Sequence, residues 1–413
     1  MKKKILVLAL STLFLSSCEK FLDTTPLDTL SPKGYFNTEK EAQIALTGVY
    51  DILAKSPTYG RRLFFELDVA DDSFVALSNW TQNVALFNYN PSDTDITDLW
   101  ILLYNGINRA NVLLENLPKV QMDGTKKQTI EGQALFLRAY YYFLLTNYWG
   151  DVPLRLSSTK SVSDNQLERS PYKVVYAQIV SDMEKAAELV EPAGTYPYGS
   201  RVTKSVVWGI LARVNLKMGG APLRDQSRFA EAKKWAEKVI NTKYHVLNPD
   251  YRDVFIRMCN GTYDPKETIW EVEFNRYNES QQEEGSVGVI NGISATAEIG
   301  FSYGSKHTTE LYFKQFENVQ QTINGYLLNY SPDIRRDWTI SPYYYATGTF
   351  QRTNYSSAQI YNRMDGKWRR EYETEETKFN GTSTINFPLL RYSDVLLMYA
   401  EADNEISGPQ PDA

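Results

Sequence analysis

The sequence holds only two histidines and two cysteines in 413 residues. Four such side chains leave little from which to build a His/Cys zinc site or a cysteine-ligated cluster, and no cofactor or metal is expected. Base is also short: 44 Lys and Arg stand against 50 Asp and Glu, a net charge of −6. Three of the lysines lie in residues 1–17, which carry no acid; without that segment 41 basic residues face 50 acidic ones. Such a surface repels phosphate backbones, which excludes nucleic acid as a partner. No apolar run is long enough to span a bilayer, so a polytopic membrane protein is excluded too. What remains is a globular composition, 42% hydrophobic and 23% charged, on a chain long enough to bury a large core.

Residues 1–17 read as a lipoprotein signal peptide. Lys2, Lys3 and Lys4 form its charged end, and a short apolar run from residue 5 to residue 15 follows. The run ends in Leu15-Ser16-Ser17-Cys18, similar to a bacterial lipobox, in which the Cys18 thiol is acylated and the peptide is cut before it. Several acyl chains on Cys18 would hold the mature protein at a membrane, since each buried methylene contributes about 0.8 kcal/mol. Only Cys259 would then remain as a thiol, so no intrachain disulfide is expected. Residues 18–36, with Pro26 and Pro32 and little periodicity, read as a tether.

Helical periodicity dominates from 37 to 255. Apolar residues recur at helical spacing over 39–54, 96–117, 130–148, 174–190, 206–218 and 229–240. The clearest run is 96–117, with Leu99, Leu103, Ile107, Ala110, Leu113 and Leu117 on one face, Asp93 and Asp95 ahead of it as caps, and Pro118 to stop it. The 130–148 run is apolar on more than one face, as in a helix packed between others. Short polar links between these runs predict a mostly α fold of tetratricopeptide-like helix pairs, an α-solenoid scaffold, although no strict repeat period is visible. From 256 to 385 the periodicity fades. Between 301 and 372 there are 16 aromatic residues in 72, or 22% against 13% for the whole chain. This predicts an irregular, loop-rich and aromatic-rich second region that carries ligand. Residues 269–274 alternate like a strand, and a last helical run over 392–406 lies in a C-terminal segment of 386–413.

Six segments together resemble the SusD/RagB family of nutrient-uptake lipoproteins. They are Cys18-Glu19-Lys20-Phe21-Leu22-Asp23, Tyr35-Phe36-Asn37-Thr38-Glu39, Ile107-Asn108-Arg109-Ala110-Asn111, Gly132-Gln133-Ala134-Leu135-Phe136-Leu137-Arg138-Ala139-Tyr140, Tyr148-Trp149-Gly150-Asp151-Val152-Pro153, and the run from Pro388 through Arg391-Tyr392-Ser393-Asp394 to Met398-Tyr399-Ala400-Glu401-Ala402. They fall in the family's order and span nearly the whole mature chain. The resemblance implies a non-enzymatic, outward-facing lipoprotein of the outer membrane. It would act as a lid on a SusC-type TonB-dependent transporter, capturing glycans or, in the RagB branch, peptides. Family chains usually continue beyond the last of these segments, so the resemblance also implies a truncated C-terminus.

Sugar recognition needs flat aromatic faces for the C–H side of a pyranose, ringed by amides and carboxylates. Asn79, Trp80, Gln82 and Asn83 supply that mixture between two helical runs; Trp80 either stacks on ligand or folds back onto the scaffold. Asp72 suits a sugar hydroxyl or a helix cap. In the second region Tyr303, Trp338, Tyr344 and Trp368 are the candidate platforms. The carboxylates that a glycosidase reading would nominate, Glu271 with Glu273 and Glu373 with Glu375 and Glu376, read as solvated faces. Asp93, Asp95 and Asp98 fail the EF-hand pattern. A surface scaffold or adhesin that binds a protein partner is the alternative from another class.

Overall fold

The structure is a computed structural model, and it describes residues 35–65, 73–75, 87–274, 285–323, 326–346, 348, 350–374, 378 and 380–409. Helix α1 (Glu39–Ala54) opens on a reciprocal cap: the Glu41 amide donates to Thr38 Oγ1 at 3.3 Å, and the Thr38 amide donates back to Glu41 Oε2 at 2.9 Å. Asp93 caps α2 (Thr94–Asn116) by accepting from the Asp95 amide, and a turn through Pro118 ends it. Helix α3 (Gly124–Trp149) is buried on every side over most of its length and stops at Gly150, whose φ is +68°. Then follow α4 (Tyr172–Leu189), α5 (Lys204–Gly219), α6 (Ser227–Asn241) and the short α7 (Tyr251–Cys259).

These helices pack on their chain neighbours in order: α1 on α2, α2 on α3, α3 on α4, α4 on α5, α5 on α6. Side-chain pairs give the sense of packing. Trp100 meets Trp149, Tyr104 meets Tyr142 and Asn111 meets Arg138, so numbers rise along α2 as they fall along α3. Phe143 with Tyr176 and Arg138 with Asp182 show the same reversal between α3 and α4. The mostly α stack of helix pairs is thus the expected scaffold. Gly106 lets α2 and α3 approach closely, since a Cβ there would lie 2.7 Å from the Tyr141 ring.

A buried polar triad pins three helices. Arg138 donates from Nε and Nη2 to the two carboxylate oxygens of Asp182 at 2.8 and 2.9 Å, and from Nη1 to Asn111 Oδ1 at 2.8 Å. All three side chains are buried, so each needs the others.

Strand β1 (Ser73–Val75) lies between α1 and α2, and the other strands follow α7: β1 pairs with β3 (Lys306–Thr308), β2 (Thr268–Val272) with β8 (Phe387–Arg391), β4 (Val319–Ile323) with β5 (Tyr326–Tyr330), and β6 (Tyr343–Tyr345) with β7 (Arg352–Asn354), all antiparallel. Helix α8 (Tyr392–Ser407) continues directly from β8 and packs on α6 and α5, where Asp403 pairs with Lys233 at 2.8 Å and Asp394 with Arg213. Trp270 of β2 is fully buried, edge-on to Phe136 and Tyr140 of α3 at 5.2 and 4.8 Å. One hydrophobic core therefore runs from Phe36 to Ala402.

The alternation over 269–274 gives a strand, but not one with a wet face. All five residues of β2 are buried, Glu271 among them, because the 199 loop covers the outer side and the Glu271 amide donates to the Gly199 carbonyl at 3.1 Å. Burial, with Glu273 nearby, pushes the Glu271 carboxyl up to about 8. Glu373 is likewise buried, locked to Arg370 at 2.9 Å. The expectation of solvated faces is wrong for both residues, and Glu375 and Glu376 lie outside the described residues.

Candidate ligand-binding surface

Strand β1 is short, yet it fixes the geometry of the candidate surface. Phe74 pairs with His307 across it, ring centroids 5.6 Å apart. Asp72 lies just before β1, and Asn79, Trp80, Gln82 and Asn83 lie just after it, all outside the described residues. The root of their segment is nevertheless held beside His307.

His307 gathers two more segments. Its Nε2 lies 3.2 Å from the Gly304 carbonyl oxygen and its Nδ1 2.8 Å from that of Tyr361. A backbone bridge joins His307 to Met364. Gly304 has φ +60°, and a Cβ there would run into the Met364 sulfur, so glycine suits this turn best. The turn carries Tyr303, whose amide donates to the Val289 carbonyl at 2.9 Å and whose ring stands edge-on to Phe301 at 4.7 Å. Tyr303 is 54% exposed and Tyr361 is 55% exposed. Both present an aromatic face to water. The Tyr361 hydroxyl donates to Glu310 at 2.5 Å, which places a carboxylate beside that ring.

Strand β6 ties into the same place. The Tyr345 amide donates to the Ser294 carbonyl at 3.0 Å, and the Ser341 amide to the Met364 carbonyl at 2.9 Å. Period-two alternation then sorts the tyrosines. Tyr343 and Tyr345 turn inward and donate their hydroxyls to Glu371, which also meets Arg352 at 2.9 Å. Burial alone would raise the Glu371 carboxyl; these three donors outweigh it and hold it below the ordinary range. Tyr344 is half-buried, its ring 5.0 Å from that of Tyr355.

Trp338 and Trp368 require correction. They are 5% and 7% exposed and offer no open platform. The Arg369 guanidinium covers Trp338 at 3.8 Å, and Trp368 stands edge-on to Phe255 at 5.7 Å. The reason is physical: a region with no helical stripe must build its interior from its own aromatics. Sequence reasoning also passed over Phe74, Tyr361 and His307 as surface residues. No local signal marks them, because only the pairing of residues 73–75 with 306–308 unites them.

The arrangement holds stacking faces, hydroxyls, a carboxylate and an imidazole around a surface of joined loops. The buried acids belong to strand packing and to an ion pair. Of the three aspartates before and within α2, Asp93 caps the helix, while Asp95 and Asp98 meet Arg62 at 2.7 and 3.3 Å.

Comparison with known proteins fits this architecture. A family described as "Starch-binding associating with outer membrane" matches residues 20–216, and the SusD family matches residues 266–413. The chain belongs to the SusD/RagB family. Among relatives of this SusD-like chain, SusD-like protein P25 of Formosa agariphila is 25% identical over 418 residues, covering 95% of this chain and 76% of the relative. A SusD homolog from Bacteroides thetaiotaomicron superposes with a TM-score of 0.78 at 25% identity, over 92% of this chain and 76% of its own. The surface glycan-binding protein A of the same organism, solved in complex with laminarihexaose, shares the fold with a TM-score of 0.69 at 20% identity, over 91% of this SusD-like chain and 80% of its own.

Proposed function

We propose that this SusD-like chain is a non-catalytic, surface-exposed receptor that binds a polysaccharide or oligosaccharide and passes it to a SusC-type TonB-dependent transporter. The observation that carries the reading is the β1–β3 pairing. It joins the root of the Asn79–Asn83 segment to the strand that follows the exposed Tyr303, with exposed Tyr361 tied to the same histidine. Aromatic faces contributed by loops far apart in sequence suit a long, repetitive ligand that is held by stacking and by hydroxyl contacts. Relatives of the same fold that are described as glycan-binding support the ligand class. Among the described residues no helix is long and apolar enough to cross a membrane. Cys18 is the proposed anchor at the outer membrane, by acylation.

The test is affinity electrophoresis of the ectodomain, starting after Cys18, through gels that each hold one polysaccharide. Retardation by one class of glycan is expected. A folded ectodomain that no glycan retards, but that binds peptides or another surface protein, would overturn the reading.

A further inference from the structure

A second concave site lies on the helical scaffold, where the N-terminal half of α2 meets the end of α3. The rings of Trp100, Trp149, Tyr148 and Tyr89 line a cleft of about 650 Å³, with Ile96 and Ile101 between them and Arg169 at its edge. Trp100 is held by its neighbours, edge-on to Trp149 at 5.3 Å and 4.9 Å from Tyr104. A second hollow of about 520 Å³ adjoins it across Trp100 and Ile101, and Asn105, Asn108, Thr159 and Arg155 line that one.

The charge of the two hollows sets them apart from the rest of the molecule. The chain carries more acid than base, yet no Asp or Glu lines either hollow, and the charged side chains that do are Arg169 and Arg155. Neither guanidinium has a carboxylate within ion-pair distance among the described residues. A guanidinium offers a planar fork of donors that fits a carboxylate or a sulfate, and two of them where no acid lines the wall favour an anion, most of all at Arg169, since Asp164 lies within electrostatic reach of Arg155. The exposed rings beside them suit the C–H face of a sugar. The volumes fall in the range of small-ligand sites, and the surface is concave where a protein–protein patch is usually flatter.

We infer that this double cleft is a second glycan-contact site, separate from the Tyr303 surface, that takes an acidic sugar bearing a uronate carboxylate or a sulfate. The inference rests on the glycan reading above for the class of its ligand only. Arg169 would hold the anionic group over the aromatic wall, and Arg155 with Asn105 would engage the next residue of the chain.

The experiment uses the whole ectodomain in affinity gels holding alginate, polygalacturonate, carrageenan or dextran sulfate, with dextran as the neutral counterpart. Three variants are run beside it: Arg169→Gln, Arg155→Gln and Tyr148→Ala, each checked for an unchanged thermal transition. Retardation by at least one acidic glycan is expected, weakening as salt is raised. Each Arg variant should bind at least tenfold more weakly. Retardation by glycans that the three variants retain in full would overturn the cleft while leaving the glycan reading intact. Retardation by neutral glycans only would do the same. No retardation by any glycan would remove both. Unchanged glycan binding, with loss of a protein partner in the Tyr148→Ala variant, would make the cleft a protein interface and end the proposal.

Discussion

Phe74 and His307, 233 positions apart in the sequence, face each other across a three-residue antiparallel pairing with their rings 5.6 Å apart. That pairing holds residues 73–75 against the strand that follows Tyr303. It motivates the first prediction. Tyr303→Ala and Tyr361→Ala should each weaken glycan retardation about tenfold, the loss of one stacking face, without shifting the thermal transition. Trp80→Ala should abolish it. Unchanged mobility shifts in the folded variants would move the ligand away from this surface.

Gly304 should tolerate a side chain poorly. Gly304→Ala meets both a left-handed backbone and the Met364 sulfur, and should cost about 1–2 kcal/mol from the backbone alone. Urea unfolding measures this. The Tyr303 turn would also open, so glycan binding should fall in the same variant.

The Arg138–Asp182–Asn111 triad gives a sharper contrast. Asp182→Ala strands a buried guanidinium and should cost about 3–5 kcal/mol. The paired change Arg138→Met with Asp182→Leu should cost much less, because it removes both charges together. Equal losses in the two variants would mean that the pair has no special weight.

Glu271 predicts a dependence on pH. Its carboxyl is raised to about 8 in the fold, above the ordinary value of about 4.3 in an unfolded chain. The native state therefore holds a proton that the unfolded state has lost, and stability falls as pH rises from the lower value through the higher one. The Glu271→Gln variant keeps a neutral side chain throughout. Its urea midpoint should pull ahead of the parent's between pH 5 and pH 9, and parallel curves would refute the assignment.

Trp368→Ala should behave as a core truncation, losing about 3–5 kcal/mol of stability. Glycan affinity, measured well below the unfolding transition, should change little.

The helical scaffold was legible because each helix advertises itself locally. Leu99, Leu103, Ile107 and Ala110 mark one face of α2, and Asp93 and Pro118 mark its ends. The segments that carry the family resemblance proved equally informative: Asn111 and Arg138, in separate motifs, meet in one buried triad. The candidate surface was legible only in part. Tyr303 stood out beside a glycine, and the alternation in Tyr343-Tyr344-Tyr345 left Tyr344 facing away from Glu371. Trp338 and Trp368 misled because composition cannot separate an aromatic that builds an irregular core from one that lies over it. Glu271 misled because period two reports which residues share a face, not whether another loop covers that face.

Trp270 has a consequence for how the molecule comes apart. Its indole sits between Phe136 and Tyr140 of the most buried helix, on a strand whose partner β8 runs straight into α8. The loop-bearing half and the helical half thus meet in one core around this indole. The two halves should therefore melt in one transition, seen alike by far-ultraviolet circular dichroism and by tryptophan fluorescence, and a loop-bearing half that unfolds ahead of the helices would refute this.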